Sequence, residues 1–140
     1  MADTPDLSNP PVATQAVTRV ALVGHCGFDS GSLKQLARQA LPDAEVLMVN
    51  HQSDLDAAAR PDTLLWINRQ LDGRFDAADS LDMIRQLAAQ PQPPQIMLVS
   101  NYPDAQDAAV QAGAMPGFGK NDLGDPKLTQ RLATLASAKV

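Results

Sequence analysis

The chain has a single cysteine, Cys26, and few aromatic residues: one Trp, one Tyr and three Phe in 140 positions. One thiol excludes an internal disulfide and any zinc site built from several cysteines. Basic residues are also scarce, with 11 Lys and Arg against 16 Asp and Glu, a formal charge of -5 and no basic cluster. Nucleic acid and anionic membrane surfaces both call for a concentrated cationic face, so neither is an expected partner. No apolar run approaches the roughly 20 residues that span a bilayer. The opening stretch, MADTPDLSNPPVATQ, is acidic and has no apolar centre, which argues against a secretion signal. A reducing cytoplasm is the expected compartment. What is present is a length suited to one domain and an apolar fraction of 44%, enough for a sheet covered on both faces.

Residues 1–17 are rich in proline and aspartate and read as a flexible tail ahead of one domain over 18–138. Arg19–Val23 is a continuous β-rich apolar run, as in the middle of a parallel sheet. After the turn Gly24-His25-Cys26-Gly27, the residues Leu33, Leu36, Ala37, Ala40 and Leu41 recur at helical spacing. Asp29, Ser30 or Ser32 would cap that helix and Pro42 would end it. A second strand is expected at Glu45–Val49, a short helix at 54–59 and a third strand at Thr63–Ile67. Leu81, Ile84, Leu87 and Ala88 mark another helix, and a proline-rich spacer over 90–94 leads to a fourth strand from Ile96 to Ser100. Pro103 starts the next helix, with Asp104 and Asp107 at the positive end of its dipole. Residues 115–119 make a weak strand, placed at a sheet edge by Pro116 and two glycines. Asp125-Pro126 begins a last helix with Leu128, Leu132 and Leu135 on its buried stripe. Strand and helix alternate five times, which implies a parallel sheet with helices on both faces.

Two stretches then carry a family resemblance. Met97-Leu98-Val99-Ser100 is similar to the fourth strand of the receiver domains of bacterial response regulators, which ends in Ser or Thr. Ala112-Gly113-Ala114 through Lys120 resembles that family's lead into its fifth-strand lysine. The resemblance implies the flavodoxin-like α/β fold, a five-stranded parallel sheet in the order 2-1-3-4-5. It also implies an aspartate that accepts a phosphoryl group at the end of the third strand and two acidic residues after the first that hold Mg²⁺. This chain departs from that pattern. The acceptor position falls on Asn68 and the acidic pair on Gly24 and His25; Asp72, four residues after Asn68, is a poor substitute. The resemblance thus points to a degenerate pseudo-receiver in a two-component-like system.

The strand ends would gather Gly24, His25, Arg69, Ser100, Asn101 and Lys120 around Asn68, a neutral to positive pocket with no metal and no cofactor expected. A buried, unpaired ammonium is costly, and Asn68 and Ser100 are the expected acceptors for Lys120. His25 and Cys26 adjoin as a nucleophile pair would, but neighbours after a strand point apart; Cys26 is expected to pack as a small apolar residue, with His25 at the pocket mouth. The glycine turn could cradle an anion but lacks the spacing of a phosphate loop. Trp66 belongs in the core and His51 on the surface. The segment 72–80, polar around Phe75, is either a partner-binding lip or tolerated loop growth.

The leading functional reading is a non-enzymatic, phosphorylation-independent adaptor that binds another signalling protein. Its contact face would be the fourth helix, fifth strand and fifth helix, with Asp107, Gln111, Phe118 and Leu128. A different class of function is a small-anion or nucleotide-like ligand site at the strand ends; a true phospho-accepting regulator is the third reading. A homodimer stays open.

Overall fold

A computed structural model describes residues 15–136. Five strands, β1 (Arg19–Val23), β2 (Glu45–Val49), β3 (Thr63–Asn68), β4 (Gln95–Val99) and β5 (Met115–Phe118), form one parallel sheet in the order β2-β1-β3-β4-β5. Between them run α1 (Gly27–Ala40), α2 (Gln52–Ala58), α3 (Ser80–Ala88) and α4 (Pro103–Ala112), and α5 (Pro126–Ala133) closes the order. Fold class and strand order are those the sequence implied.

The period of two in a strand divides the core. Val20, Leu22, Leu64, Trp66, Met97 and Val99 face one side, where α1 and α5 cover them with Leu33, Leu36, Leu128 and Leu132. Ala21, Val23, Leu65, Ile67, Ile96 and Leu98 face the other, packed under α2, α3 and α4. Apolar runs such as Leu64–Ile67 are buried on both faces, as strands at the centre of a covered parallel sheet must be.

Side-chain caps mark the starts of α3 and α5. Asp79 accepts the Asp82 N–H at the head of α3, and Asp125 accepts the Lys127 N–H at the head of α5. The caps expected for α1 are absent, because the helix begins at Gly27 directly after Cys26, before Asp29 and the serines are reached. Asp29 therefore lies in the first turn. α2 starts two residues early, at Gln52, and β3 runs one residue further, to Asn68. The tail boundary also shifts. Val17 is buried, and its N–H donates to the Leu135 carbonyl at 2.8 Å. Residues 1–14 and 137–140 of the expected tail and domain lie outside the described residues.

β5 joins the sheet irregularly, with a register shift between Met97 and Val99. The side chain of Gln106, from α4, fills the gap. Its Nε2 donates to the carbonyls of Leu98, Ser100 and Phe118 at 2.9, 3.1 and 3.3 Å, and its Oε1 accepts the Gly117 N–H at 3.1 Å. A Cβ on Gly117 would crowd the Leu98 backbone, so a glycine is needed there. Gln106→Ala leaves these groups without their partner, and the expected loss is about 1–3 kcal/mol in urea unfolding, with the far-UV circular dichroism of the folded state unchanged.

Candidate functional site

Past Asn68 the chain does not go straight into α3; it folds back over the ends of β1 and β2. Gly24, at φ 73°, ends β1, and a Cβ there would lie 2.8 Å from Leu71 Cδ2. The Gly24 carbonyl accepts the Asp72 N–H at 2.9 Å and the Asn68 amide at 3.1 Å. The second amide N–H of Asn68 goes to the Gln70 carbonyl at 2.8 Å. Further along, Arg74 N–H donates to Asn50 O at 2.8 Å, Gln52 N–H donates to Arg74 O at 2.9 Å, and Asn50 Nδ2 donates to the carbonyls of His25 and Asp72. Gly73, at φ 124°, lies so close to the Asn50 carbonyl that any side chain would collide with it. The segment 70–74 is thus a strap across the first two strand ends, with Phe75 packed on the core behind it.

A cavity of about 170 Å³ opens beside the strap, at the ends of β3, β4 and β5. Asn68, Arg69, Gln70, Ser100, Asn101, Tyr102 and Lys120 line it. The Arg69 guanidinium lies 4.9 Å from the centre of the Tyr102 ring, a cation–π contact, and the Ser80 hydroxyl donates to the Arg69 carbonyl at 2.9 Å. Ser100 Oγ accepts the Tyr102 N–H at 3.1 Å, and Asn101 Oδ1 accepts the Asn121 N–H at 2.9 Å, which turns the Asn101 amino group away from that contact.

Four of the expected pocket residues, Arg69, Ser100, Asn101 and Lys120, come together here with Asn68; Gly24 and His25 do not. His25 is 1% exposed, not at a mouth, because the strap lies over the end of β1. Its Nε2–H donates to the Trp66 carbonyl at 2.9 Å, while Nδ1 has no partner. Lys120, in a 3₁₀ turn over Lys120–Asp122, bonds to neither Asn68 nor Ser100. Its Nζ lies 2.6 Å from Asp29 Oδ2, across a separation of 91 residues. A charged acceptor on the first turn of α1 outcompetes neutral ones. Cys26 is half-buried with its thiol 3.5 Å from the same carboxylate, so it is not the plain apolar filler expected.

On the expected contact face, Asp107 and Gln111 are exposed, but Phe118 and Leu128 are buried. Phe118 points inward to meet Trp66 edge-on at 5.1 Å, and Leu128 fills the apolar stripe of α5. Sequence reasoning does not single out Asp29, Gln70 or Gln106 as site residues. Asp29 carried a signal, an acidic side chain in a first helical turn; the roles of Gln70 and Gln106 had none, because each depends on which strands become neighbours.

The Mg²⁺ that the resemblance implies does not fit these residues. The Gly24 carbonyl is taken by the strap, His25 is buried against Trp66, and among the described residues no group of three or more His, Cys, Asp or Glu side chains could hold a metal.

Solved structures that superpose on this chain include receiver domains. The signal receiver domain of a DNA-binding response regulator from Colwellia psychrerythraea 34H superposes with a TM-score of 0.64 at 17% identity, covering 84% of this chain and 96% of that one. This chain has the receiver-domain fold. A response regulator from Colwellia psychrerythraea gives a TM-score of 0.61 at 20% identity over 86% of this chain and 98% of that one. The phosphorylated cyanobacterial phytochrome response regulator RcpA gives 0.56 at 16% identity over 86% and 91%. By sequence the chain matches no protein-family model and no curated protein.

The buried histidine gives the fold a pH dependence. Burial lowers the pKa of His25 below 6.5, the charge of Lys120 adds to the lowering, and the Trp66 hydrogen bond and Asp29 oppose it. The unfolded chain then binds the proton more readily, so the contribution of His25 is complete above pH 6.5 and is lost as pH falls toward its folded value. Unfolding midpoints in urea are expected to fall between pH 7.5 and 5.5, and His25→Gln is expected to flatten that slope. The hydrogen bond from Lys120 holds Asp29 below 3.8, so the share of stability due to Asp29 is lost only in stronger acid.

Proposed function

We propose that this chain is a signalling module that works through protein–protein contact and is not itself switched by phosphorylation. The observation that carries this reading is the position of Asn68. It ends β3, and both N–H groups of its amide are engaged with the carbonyls of Gly24 and Gln70. A carboxamide does not form the acyl phosphate that a carboxylate would, and here it serves as a fastening of the strap.

The contact surface is α4. Tyr102 and Val110, 60% and 43% exposed, are the large apolar side chains left open among the described residues, and they stand at the two ends of this helix. Asp107 lies three residues before Val110 and four before Gln111, so by helical spacing it neighbours both, and all three are exposed. Gln106 anchors the helix to β4 and β5, so a partner meets a rigid platform. An aromatic and an aliphatic anchor among polar neighbours is the make-up of a protein contact site.

Incubation with acetyl phosphate and Mg²⁺ is expected to leave the intact mass unchanged; an acid-labile phosphate adduct refutes the reading. Affinity purification from the native cell is expected to recover a protein partner, and Tyr102→Ala with Val110→Asp to lose it without loss of fold.

A second reading has support in the cavity itself. No carboxylate lines it, Arg69 has no ion-pair partner among the described residues, and the hydroxyl of Ser100 and the amino group of Asn101 have room to donate. Such a site suits a small oxyanion. At about 170 Å³ it is small for a nucleotide. Inorganic phosphate is expected to raise the thermal midpoint of the wild type and not that of Arg69→Ala. No shift in the wild type removes this reading and leaves the adaptor standing.

A further inference from the structure

The two edges of the sheet differ. At β5 the carbonyls of Pro116 and Gly117 accept from the Arg131 guanidinium at 2.9 and 3.0 Å, and Pro116 has no N–H to offer, so that edge is closed. At β2 the outer side has no partner strand among the described residues. The inner bonds fix which groups are free. Glu45 N–H donates to Thr18 O at 3.0 Å, and Val49 O accepts Gly24 N–H at 2.9 Å. Glu45, Leu47 and Val49 therefore turn toward β1, and strand alternation turns the N–H and C=O of Val46 and Met48 outward.

Beside these four groups runs a groove of about 510 Å³ between β2 and α2, lined by Leu47, Ala57 and Ala58. Asp54 stands near the end where α2 begins and Arg60 beyond the end where it stops. Neither makes an ion pair among the described residues, whereas Arg19 in the same groove is held by Asp62 at 3.2 Å.

We propose that a second copy of this chain pairs its β2 antiparallel against this edge, about a two-fold axis at Leu47, and joins two sheets into one. In that register Val46 of one copy faces Met48 of the other, and each such pair exchanges both main-chain hydrogen bonds. Leu47 meets Leu47 of the other copy at the axis, in the closely spaced position between the bonded pairs. Because the strands run in opposite directions, the Arg60 end of one groove meets the Asp54 end of the other, and the symmetry makes this contact twice. The strand of an unrelated protein would satisfy the main chain but would lack this reciprocal charge. The edge lies apart from α4, so the contact does not depend on the function proposed above.

Sedimentation velocity on the full chain, from micromolar to millimolar concentration, is expected to show a monomer–dimer equilibrium. Asp54→Arg or Arg60→Asp alone sets like charges against each other twice and is expected to weaken association about tenfold; the double variant is expected to restore it. Met48→Pro removes an outward N–H while leaving every bond to β1, and is expected to abolish the dimer with unchanged far-UV circular dichroism. A wild type that stays monomeric throughout overturns the proposal. So does a dimer that neither single charge reversal weakens.

Discussion

The carbonyl of Gly24 holds the functional end of this molecule together. It accepts from the main chain of Asp72 and from the side chain of Asn68, and those two bonds close a strap over the ends of β1 and β2. Main-chain groups at the end of a parallel strand have lost their ladder partners and must find others. In this protein the partners come from the polypeptide itself, where a cleft open to solvent would have supplied water or a ligand. Gly24 and Gly73 are required because the strap approaches the strand ends too closely for a Cβ at either position.

The strap divides the strand-end surface into two unequal parts. Over β1 and β2 it leaves a buried imidazole and satisfied carbonyls, a region with little chemistry left to do. Over β3, β4 and β5 it leaves a small cavity with donors and no lining carboxylate. The ion pair between Lys120 and Asp29 joins the two parts, because it ties the turn after β5 to the first turn of α1. Partly exposed pairs of this kind add little stability but hold their side chains in register. Gln106 plays the corresponding part on the α4 side, where its amide fills the register shift in the ladder between β4 and β5.

Much of this is legible in the residues alone. Four-residue apolar runs such as Val20–Val23 and Leu64–Ile67 identify strands, because a strand covered on both faces has no polar side to show. Pro116 and its glycines placed β5 at the edge, where the missing donor does no harm. Trp66 read as core and is fully buried. The site was only half legible. Ser100, Asn101, Arg69 and Lys120 follow from strand ends meeting on one side of a parallel sheet. The burial of His25 is not legible, because nothing local to Gly24-His25 reveals that residues nearly 50 positions later lie over it. Phe118 is expected on a contact face because a weak strand does not by itself declare which side turns inward, whereas the burial of Leu128 is legible in its helical stripe.

Composition and pattern therefore determined the class of fold, which depends on residue type and local period alone; the strand order, and the expectation that Asn68, Gly24 and His25 stand where receiver domains carry carboxylates, come from the resemblance. Tertiary structure decided the strap, the choice of Asp29 as partner to Lys120, the bridge made by Gln106 and the open edge at β2. Each of these joins groups far apart in the chain, and such pairings exist only once the sheet has set which strand ends are neighbours.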